Sequence, residues 1–214
     1  DEDSWASLFV MFATASGGVR RNRLSDFTNV MANGKIAMKL ADGDHLVRVR
    51  VFEEEDNVFL ATRQGKCVRF PVTDVRVFSG RTSQGVRGIN LADGDEVIAM
   101  SGLNHVKTEV AIRDEYLRAV NAGRRLAGGD YTDRDEDKAR DEELAGVLSQ
   151  PAFEEMGMEE EFILTVTADG MGKRTSAYDY RISKRGGKGI DSIDLKRGEG
   201  TFTEVVATLP VLPT

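Results

Sequence analysis

The sequence predicts an all-β fold of propeller-like blade repeats, three of them visible, interrupted by one helical insertion. Three observations predict it. One composite pattern is written three times. Within it the apolar residues alternate with the period of strands. The alternation stops once, between about 104 and 158, where helical spacing replaces it.

The repeat begins with an apolar run: Phe9-Val10-Met11-Phe12-Ala13, Val58-Phe59-Leu60-Ala61 and Phe162-Ile163-Leu164-Thr165-Val166. A glycine turn follows at Gly17, Gly65 and Gly170, with an arginine four residues later at Arg21, Arg69 and Arg174. An aspartate closes each segment, at Asp26, Asp74 and Asp179. After a loop of variable length each repeat continues as Gly34 to Leu40, Gly85 to Leu91 or Gly189 to Leu195. A second turn glycine follows at Gly43, Gly94 and Gly198. Strand-and-glycine units recurring near every 50 residues are the signature of blades rather than of one two-layer domain. The division is 1–56, 57–103 and 159–214 for the blade repeats, with 104–158 as the insertion.

In the first repeat, strands are expected over Leu8 to Thr14, Val19 to Leu24, Ile36 to Leu40 and His45 to Phe52. Leu46-Val47-Arg48-Val49-Arg50-Val51 alternates as a half-buried strand does. The second repeat copies this order, and four signals per repeat give about twelve short strands. In the insertion, Ile112, Tyr116, Ala119, Val120 and Gly123 fall at helical spacing, so a helix spans roughly 107–126 and ends at Gly128-Gly129. Thr132 and Asp135 read as a capping box for a second helix through Leu148, with Pro151 beyond its end.

Composition limits the function classes. No run of about 18 apolar residues exists to span a membrane, and Asp1-Glu2-Asp3-Ser4 lacks the basic region of a secretory leader. Cys67 is the single cysteine, so no internal disulfide forms and a reducing cytoplasm is expected. His45 and His105 have no second ligand near them in sequence, so no metal site or cofactor is expected. Asp42/Asp44 and Asp93/Asp95 flank turn glycines too closely for a calcium loop and read as hairpin turns. No catalytic constellation is visible.

The net charge of −7 conceals a division. Residues 104–161 hold 8 Lys and Arg against 16 Asp and Glu, leaving 21 cations against 20 anions elsewhere. Local cation stripes decide phosphate binding, not the total. The cations beside the recurrent glycines are Arg20, Arg21, Arg23 and Lys35 in the first repeat, and Arg69, Arg81 and Arg87 in the second. The third supplies Lys173, Arg174, Lys184, Arg185 and Lys188, the last three set among Gly186, Gly187 and Gly189. Such a loop presents cations and backbone N–H groups to phosphates. The other reading of Arg21, Arg69 and Arg174 is structural pairing with the recurrent aspartates.

The blocks Phe9 to Arg21, Gly85-Val86-Arg87-Gly88-Ile89 and Gly172 to Tyr180 resemble the C-terminal domain of the bacterial DNA gyrase A subunit. The resemblance covers 7–103 and 160–212. It implies a β-pinwheel, of which three of six blades are visible, whose basic rim binds and wraps double-stranded DNA. It also implies partners in gyrase B and in the remainder of the gyrase A subunit, with ATP-driven negative supercoiling by the assembly. Ser183-Lys184-Arg185-Gly186-Gly187-Lys188-Gly189 is similar to the family's basic box, with Ser183 where that box has glutamine. None of Tyr116, Tyr131, Tyr178 or Tyr180 matches the family's catalytic tyrosine. The topoisomerase IV A-subunit tail and a protein-docking propeller are the alternatives.

Overall fold

The structure, a computed structural model, describes residues 2–28, 32–126, 148–195 and 203–211. Within them three antiparallel sheets stand side by side, as the repeats require. β1 (Phe9–Thr14) and β2 (Gly18–Arg23) form a hairpin in register from Phe9↔Arg23 to Ala13↔Val19, and β3 (Leu46–Phe52) pairs with the other edge of β1. The second sheet repeats this with β4 (Asn57–Thr62), β5 (Lys66–Pro71) and β7 (Val97–Leu103). The third does so with β8 (Phe162–Thr167), β9 (Gly172–Ser176) and β11 (Val205–Val211). β1 and β4 are central strands buried along their whole length, which is why their sequences are unbroken apolar runs.

The fourth strand of a sheet comes from the next repeat. β6 (Val86–Arg87), from the second repeat, pairs with β2 of the first sheet. β10 (Ile190–Asp191), from the third, pairs with β5 of the second. Each is a short arm laid antiparallel on an edge that would otherwise expose unpaired backbone groups. Sequence repeat and sheet are therefore out of step by one strand. The arm expected as a strand over Ile36 to Leu40 is not one. Lys39 N–H donates to Ser83 O at 3.3 Å, just ahead of β6, but the arm joins no sheet among the described residues. Met38, with Ala37 and Leu40, instead packs on Val10 and Phe12, and Ile36 is 70 % exposed. This accounts for eleven strands among the described residues instead of about twelve.

Between the sheets lie two cores. Met11, Val19 and Phe52 meet Val58, Leu60, Phe70, Ile89 and Val97 in one; Phe59, Ala61 and Cys67 meet Leu103, Ile163, Ala177 and Tyr180 in the other. Backbone bonds cross the same interfaces, Val97 N–H to Ala15 O at 2.9 Å and Val205 N–H to Arg63 O at 2.8 Å. Arg63 adds ion pairs to Glu96 of its own sheet and Glu204 of the next. Cys67 is buried in the second core, and burial pushes its thiol up to about 12, so it is a packing residue rather than a nucleophile.

The insertion enters as α1 (Val110–Leu126), the helix expected over 107–126. The second helix expected over 132–148, and Gly128-Gly129, lie outside the described residues, apart from Leu148. A helix α2 (Gln150–Glu159) stands where the sequence suggests chain beyond a helix end. Pro151 occupies its first turn, where a missing N–H costs nothing, and the Ser149 hydroxyl accepts from Ala152 N–H at 3.4 Å. Tyr116 is the hub: its hydroxyl donates to Glu160 Oε2 at 2.8 Å, and its ring meets Phe153 at 5.1 Å and Tyr178 edge-on at 5.5 Å. Tyr178 in turn donates to Met156 O at 3.0 Å, which fastens α2 to the third sheet's short 3-10 turn. Among the described residues no helix is long and apolar enough to cross a membrane.

Two outcomes follow from the packing. A Cβ built on Gly189, whose φ is +75°, would stand 2.4 Å from the Cys67 carbonyl oxygen, whereas one on Gly187 meets nothing within 4 Å. Gly189→Ala is expected to cost about 2 kcal/mol or more and Gly187→Ala a small fraction of that, as thermal unfolding will show. Tyr116→Ala removes the hub of the insertion and is expected to cost about 3 kcal/mol, with amide exchange in α1 accelerating while β4 and β8 stay protected.

Candidate nucleic-acid interface

The cations singled out in the sequence separate by burial. Arg20 is 0 % exposed and Arg69 1 % exposed, and Arg21 is also buried. A buried guanidinium is costly unless its donors are used. Arg20 donates to Ser83 O at 2.6 Å, Ser83 Oγ at 2.9 Å, Asn22 Oδ1 at 2.9 Å and the Gly80 carbonyl, and lies 4.3 Å from the Phe78 ring centroid. Arg69 donates to Ala177 O at 2.8 Å and Asn104 O at 2.6 Å. Burial lowers its pKa to about 10, against an opposing pull from Glu161, so it remains a cation at neutral pH. Arg21 lies over the Phe9 ring at 4.5 Å, and its Nε and Nη1 have no hydrogen-bond partner. Its pKa is lowered by burial, partly offset by Glu54.

These three, expected at the rim, lie in the interior: Arg20 holds the loop before β6, Arg69 reaches the third sheet's 3-10 turn, and Arg21 packs on a ring of its own sheet. β6 and β10 cover only the first residues of β2 and β5, and the segments at Val77 and Ile182 run beside Arg21 and Arg69. The ion pairs considered for Arg21 with Asp26 and Arg69 with Asp74 do not form; a ring and carbonyls take their place. Arg174 occupies the equivalent position over Phe162 at 4.5 Å. No fourth strand among the described residues covers β9, so Arg174 and Lys173 are exposed there.

Arg23, Lys35, Arg87, Lys184 and Lys188 are exposed, and Arg81 and Arg185 are half-buried. Arg23 sits at the end of β2, donating to Ala6 O at 3.0 Å, and Lys35 lies on the unpaired first arm. The glycine-rich loop is bound down onto the second repeat. Ser183 N–H donates to Arg69 O at 2.8 Å, Gly186 N–H to Gly88 O at 2.6 Å, and Asn90 N–H to Gly187 O at 2.8 Å. Arg185 donates from Nε to Asp74 O and from Nη1 to Arg87 O, both at 2.9 Å. The loop thereby brings Arg87 together with Lys184 and Lys188, residues far apart in sequence. It folds over β5 around a cavity of about 270 Å³ lined in part by Arg181, Lys184 and Lys188.

Two exposed cations escape a reading of the sequence alone. Arg76 and Arg181 lie on segments running parallel beside β2 and β5, bridged at Arg21↔Val77 and Arg69↔Ile182. Each stands two residues beyond a recurrent aspartate, a spacing that is available in the sequence. The perimeter of the first two sheets thus carries Arg76 and Arg87, then Arg181, Lys184 and Lys188. None of these five takes part in the ion pairs found among the described residues.

The aspartate turns close on themselves. Asp44 Oδ1 accepts from Ser16 N–H at 3.0 Å and His45 N–H at 2.9 Å, and Asp95 Oδ1 from Gln64 and Glu96 N–H, each at 2.9 Å. The hydroxyls of Tyr116 and Tyr178 are occupied too. Tyr178 and Tyr180 are buried, and burial pushes the Tyr178 hydroxyl up to about 12; Tyr131 lies outside the described residues.

The family model of the DNA gyrase C-terminal domain, beta-propeller, matches residues 9–53, 56–104 and 161–202, leaving out the insertion. The DNA gyrase A subunit of Granulibacter bethesdensis is 50 % identical over 220 residues, covering 100 % of this chain, the insertion included, and 23 % of its own length. The same subunit of Rickettsia bellii is 44 % identical over 213 residues, covering 99 % of this chain and 22 % of its own. This chain therefore spans under a quarter of the length of these relatives. Among solved structures, the C-terminal domain of DNA topoisomerase IV superposes with a TM-score of 0.63 at 17 % identity, over 96 % of this chain and 47 % of that one. The E. coli ParC C-terminal domain does so at 0.57 and 12 %, over 96 % and 63 %. Those two likenesses establish the shared fold, and the family model with the gyrase relatives establishes more: this chain belongs to the DNA gyrase C-terminal domain, beta-propeller family.

Proposed function

We propose that this segment binds and wraps duplex DNA along its outer perimeter, as part of a gyrase A subunit that works with gyrase B in the cytoplasm. The assembly would use that wrap to bias ATP-driven strand passage toward negative supercoils. The observation that carries the reading is the run of exposed cations outside all described ion pairs, Arg76, Arg87, Arg181, Lys184 and Lys188, along the edges of two successive sheets. Arg76 and Arg181 occupy equivalent places in successive repeats, which suits a backbone that presents phosphates at regular intervals. Among the described residues the perimeter carries no projecting helix or ribbon to enter a groove, so the contacts are to phosphates, with little sequence preference. The topoisomerase IV tail shares the fold, but its 17 % identity stands against 50 % to a gyrase relative, which favours gyrase.

Lys184→Ala with Lys188→Ala is expected to weaken binding to unrelated duplexes alike. The slope of log K against log salt should become shallower by about 0.9 per contact, about 1.8 for the pair. Fluorescence anisotropy across a salt series reads both quantities. Equal affinity and slope in the double variant would remove the glycine-rich loop from the interface.

A further inference from the structure

We infer that Arg81 and Arg185 are positioning residues that tether the basic loops to the preceding repeat, and not themselves phosphate contacts. This rests on the DNA-binding reading above and divides that site into cations that touch DNA and cations that hold the others in place.

The two arginines recur at one place in their loops. Arg81 stands three residues beyond Phe78, whose N–H donates to Arg21 O at 2.8 Å. Arg185 stands two residues beyond Ser183, whose N–H donates to Arg69 O at 2.8 Å. The loops differ in length by one residue ahead of the arginines, yet both arginines stand four residues before the arm glycine, Gly85 or Gly189. Arg81 Nη1 donates to Asp26 O at 3.1 Å and Arg185 Nε to Asp74 O at 2.9 Å. Asp26 and Asp74 are the same repeat position, the aspartate in the short 3-10 turn after the hairpin. Two guanidinium groups that hold the same place before the arm glycine and reach equivalent carbonyls serve a structural requirement of the loop.

The geometry also commits their donors. Arg185 gives Nε to Asp74 O and Nη1 to Arg87 O, so one half-buried side chain links loop, preceding turn and arm. A planar fork does this; a lysine ammonium carries the same charge without the fork. Lys184 and Lys188 on either side are exposed. Arg185 therefore sets where those two cations and Arg87 stand relative to one another. Arg81 does the same for the loop before Arg87, with Phe27 at 5.8 Å from its guanidinium.

Charge-conserving substitution separates the two roles. Arg185→Lys, Arg185→Ala and Arg81→Lys are compared with the unaltered chain by anisotropy on a duplex of about 40 base pairs over a salt series. Amide exchange of Ser183 and Gly186 is measured without DNA, and circular dichroism confirms the fold of each variant. Arg185→Lys is expected to bind about three- to tenfold more weakly at every salt concentration, the cost of ordering a freed loop. Its slope should stay unchanged, with faster exchange at both amides. Full affinity in Arg185→Lys together with a slope shallower by about 0.9 in Arg185→Ala would make Arg185 a phosphate contact and overturn the inference. Unchanged exchange in both Arg185 variants would overturn it as well, and that result needs no DNA. Absence of salt-dependent binding by the unaltered chain would instead overturn the DNA reading, leaving the exchange data to decide the tether.

Discussion

Backbone meeting backbone where one repeat's arm crosses the preceding hairpin is the constraint on which the rest depends. A Cβ at Gly85 would fall 2.2 Å from Val19 O, and one at Gly189 2.4 Å from Cys67 O. Only glycine admits that approach, and it places β6 and β10 on the edges of β2 and β5. Once the edges are covered, both faces of β2 and β5 are enclosed. Arginines that an open edge would expose become interior groups needing carbonyls and rings. Arg69 finds Ala177 O and Asn104 O, and Arg21 the Phe9 ring. The exposed cations are displaced outward onto the arms and the loops leading into them.

The same constraint explains how the chain accommodates its insertion. First and second sheets are joined by a short turn, Glu53 to Asp56, and second and third by the segment 104–160. The insertion leaves and re-enters at one interface: Asn104 N–H donates to Glu161 Oε2 at 2.7 Å, while Asn104 O accepts from Arg69. Its two ends are held together as the short turn holds Glu53 and Asp56, so the intervening length costs mainly slowly growing loop entropy. Tyr116 and Tyr178 then give the described helices an apolar footing on the third sheet.

What is legible in the sequence follows from local periodicity. β1 and α1 are readable because apolar spacing reports which faces are covered, and the turn glycines because their backbone needs positive φ at Gly17, Gly65 and Gly170. β3 forms where its alternation places it, but Leu46, Val49 and Val51 stay exposed, so it is not the half-buried strand expected. Non-local facts are not readable. Nothing local says that Val86 and Ile190 serve another repeat's sheet, or that Ile36 has no edge to join. Pro151 reads as chain beyond a helix because the helix it begins is short and weakly amphipathic. At the site, Arg21 and Arg69 share the composition of a basic rim with Lys184 and Lys188. Only their spacing from the hairpin glycine, the same in every repeat, sets them apart from Lys184 and Lys188. Lys184 and Lys188 have no counterpart cation in the second repeat's loop, whereas Arg76 and Arg181 keep a fixed spacing and are exposed all the same.

That distinction bears on how a net-acidic chain presents a surface to a polyanion. The excess negative charge belongs to the insertion segment, rooted where the sheets connect, at Asn104 and Glu161. The exposed cations lie on the arm side of β2 and β5. At physiological salt, exposed charges separated by more than about 8 Å are largely screened from one another. Arg185 ties Arg87 to the loop that carries Lys184 and Lys188, and Arg76 stands near Arg20, whose pKa is lowered by burial and by Arg76. Like charges held this close repel, and loops left free would relax apart. Carbonyl oxygens of Asp26, Asp74 and Arg87, supplied by the preceding repeat and the arm, hold the loop arginines against that repulsion. The fold thus stores a concentrated positive edge by anchoring cations to backbone dipoles instead of to carboxylates, which would have cancelled the charge they positioned.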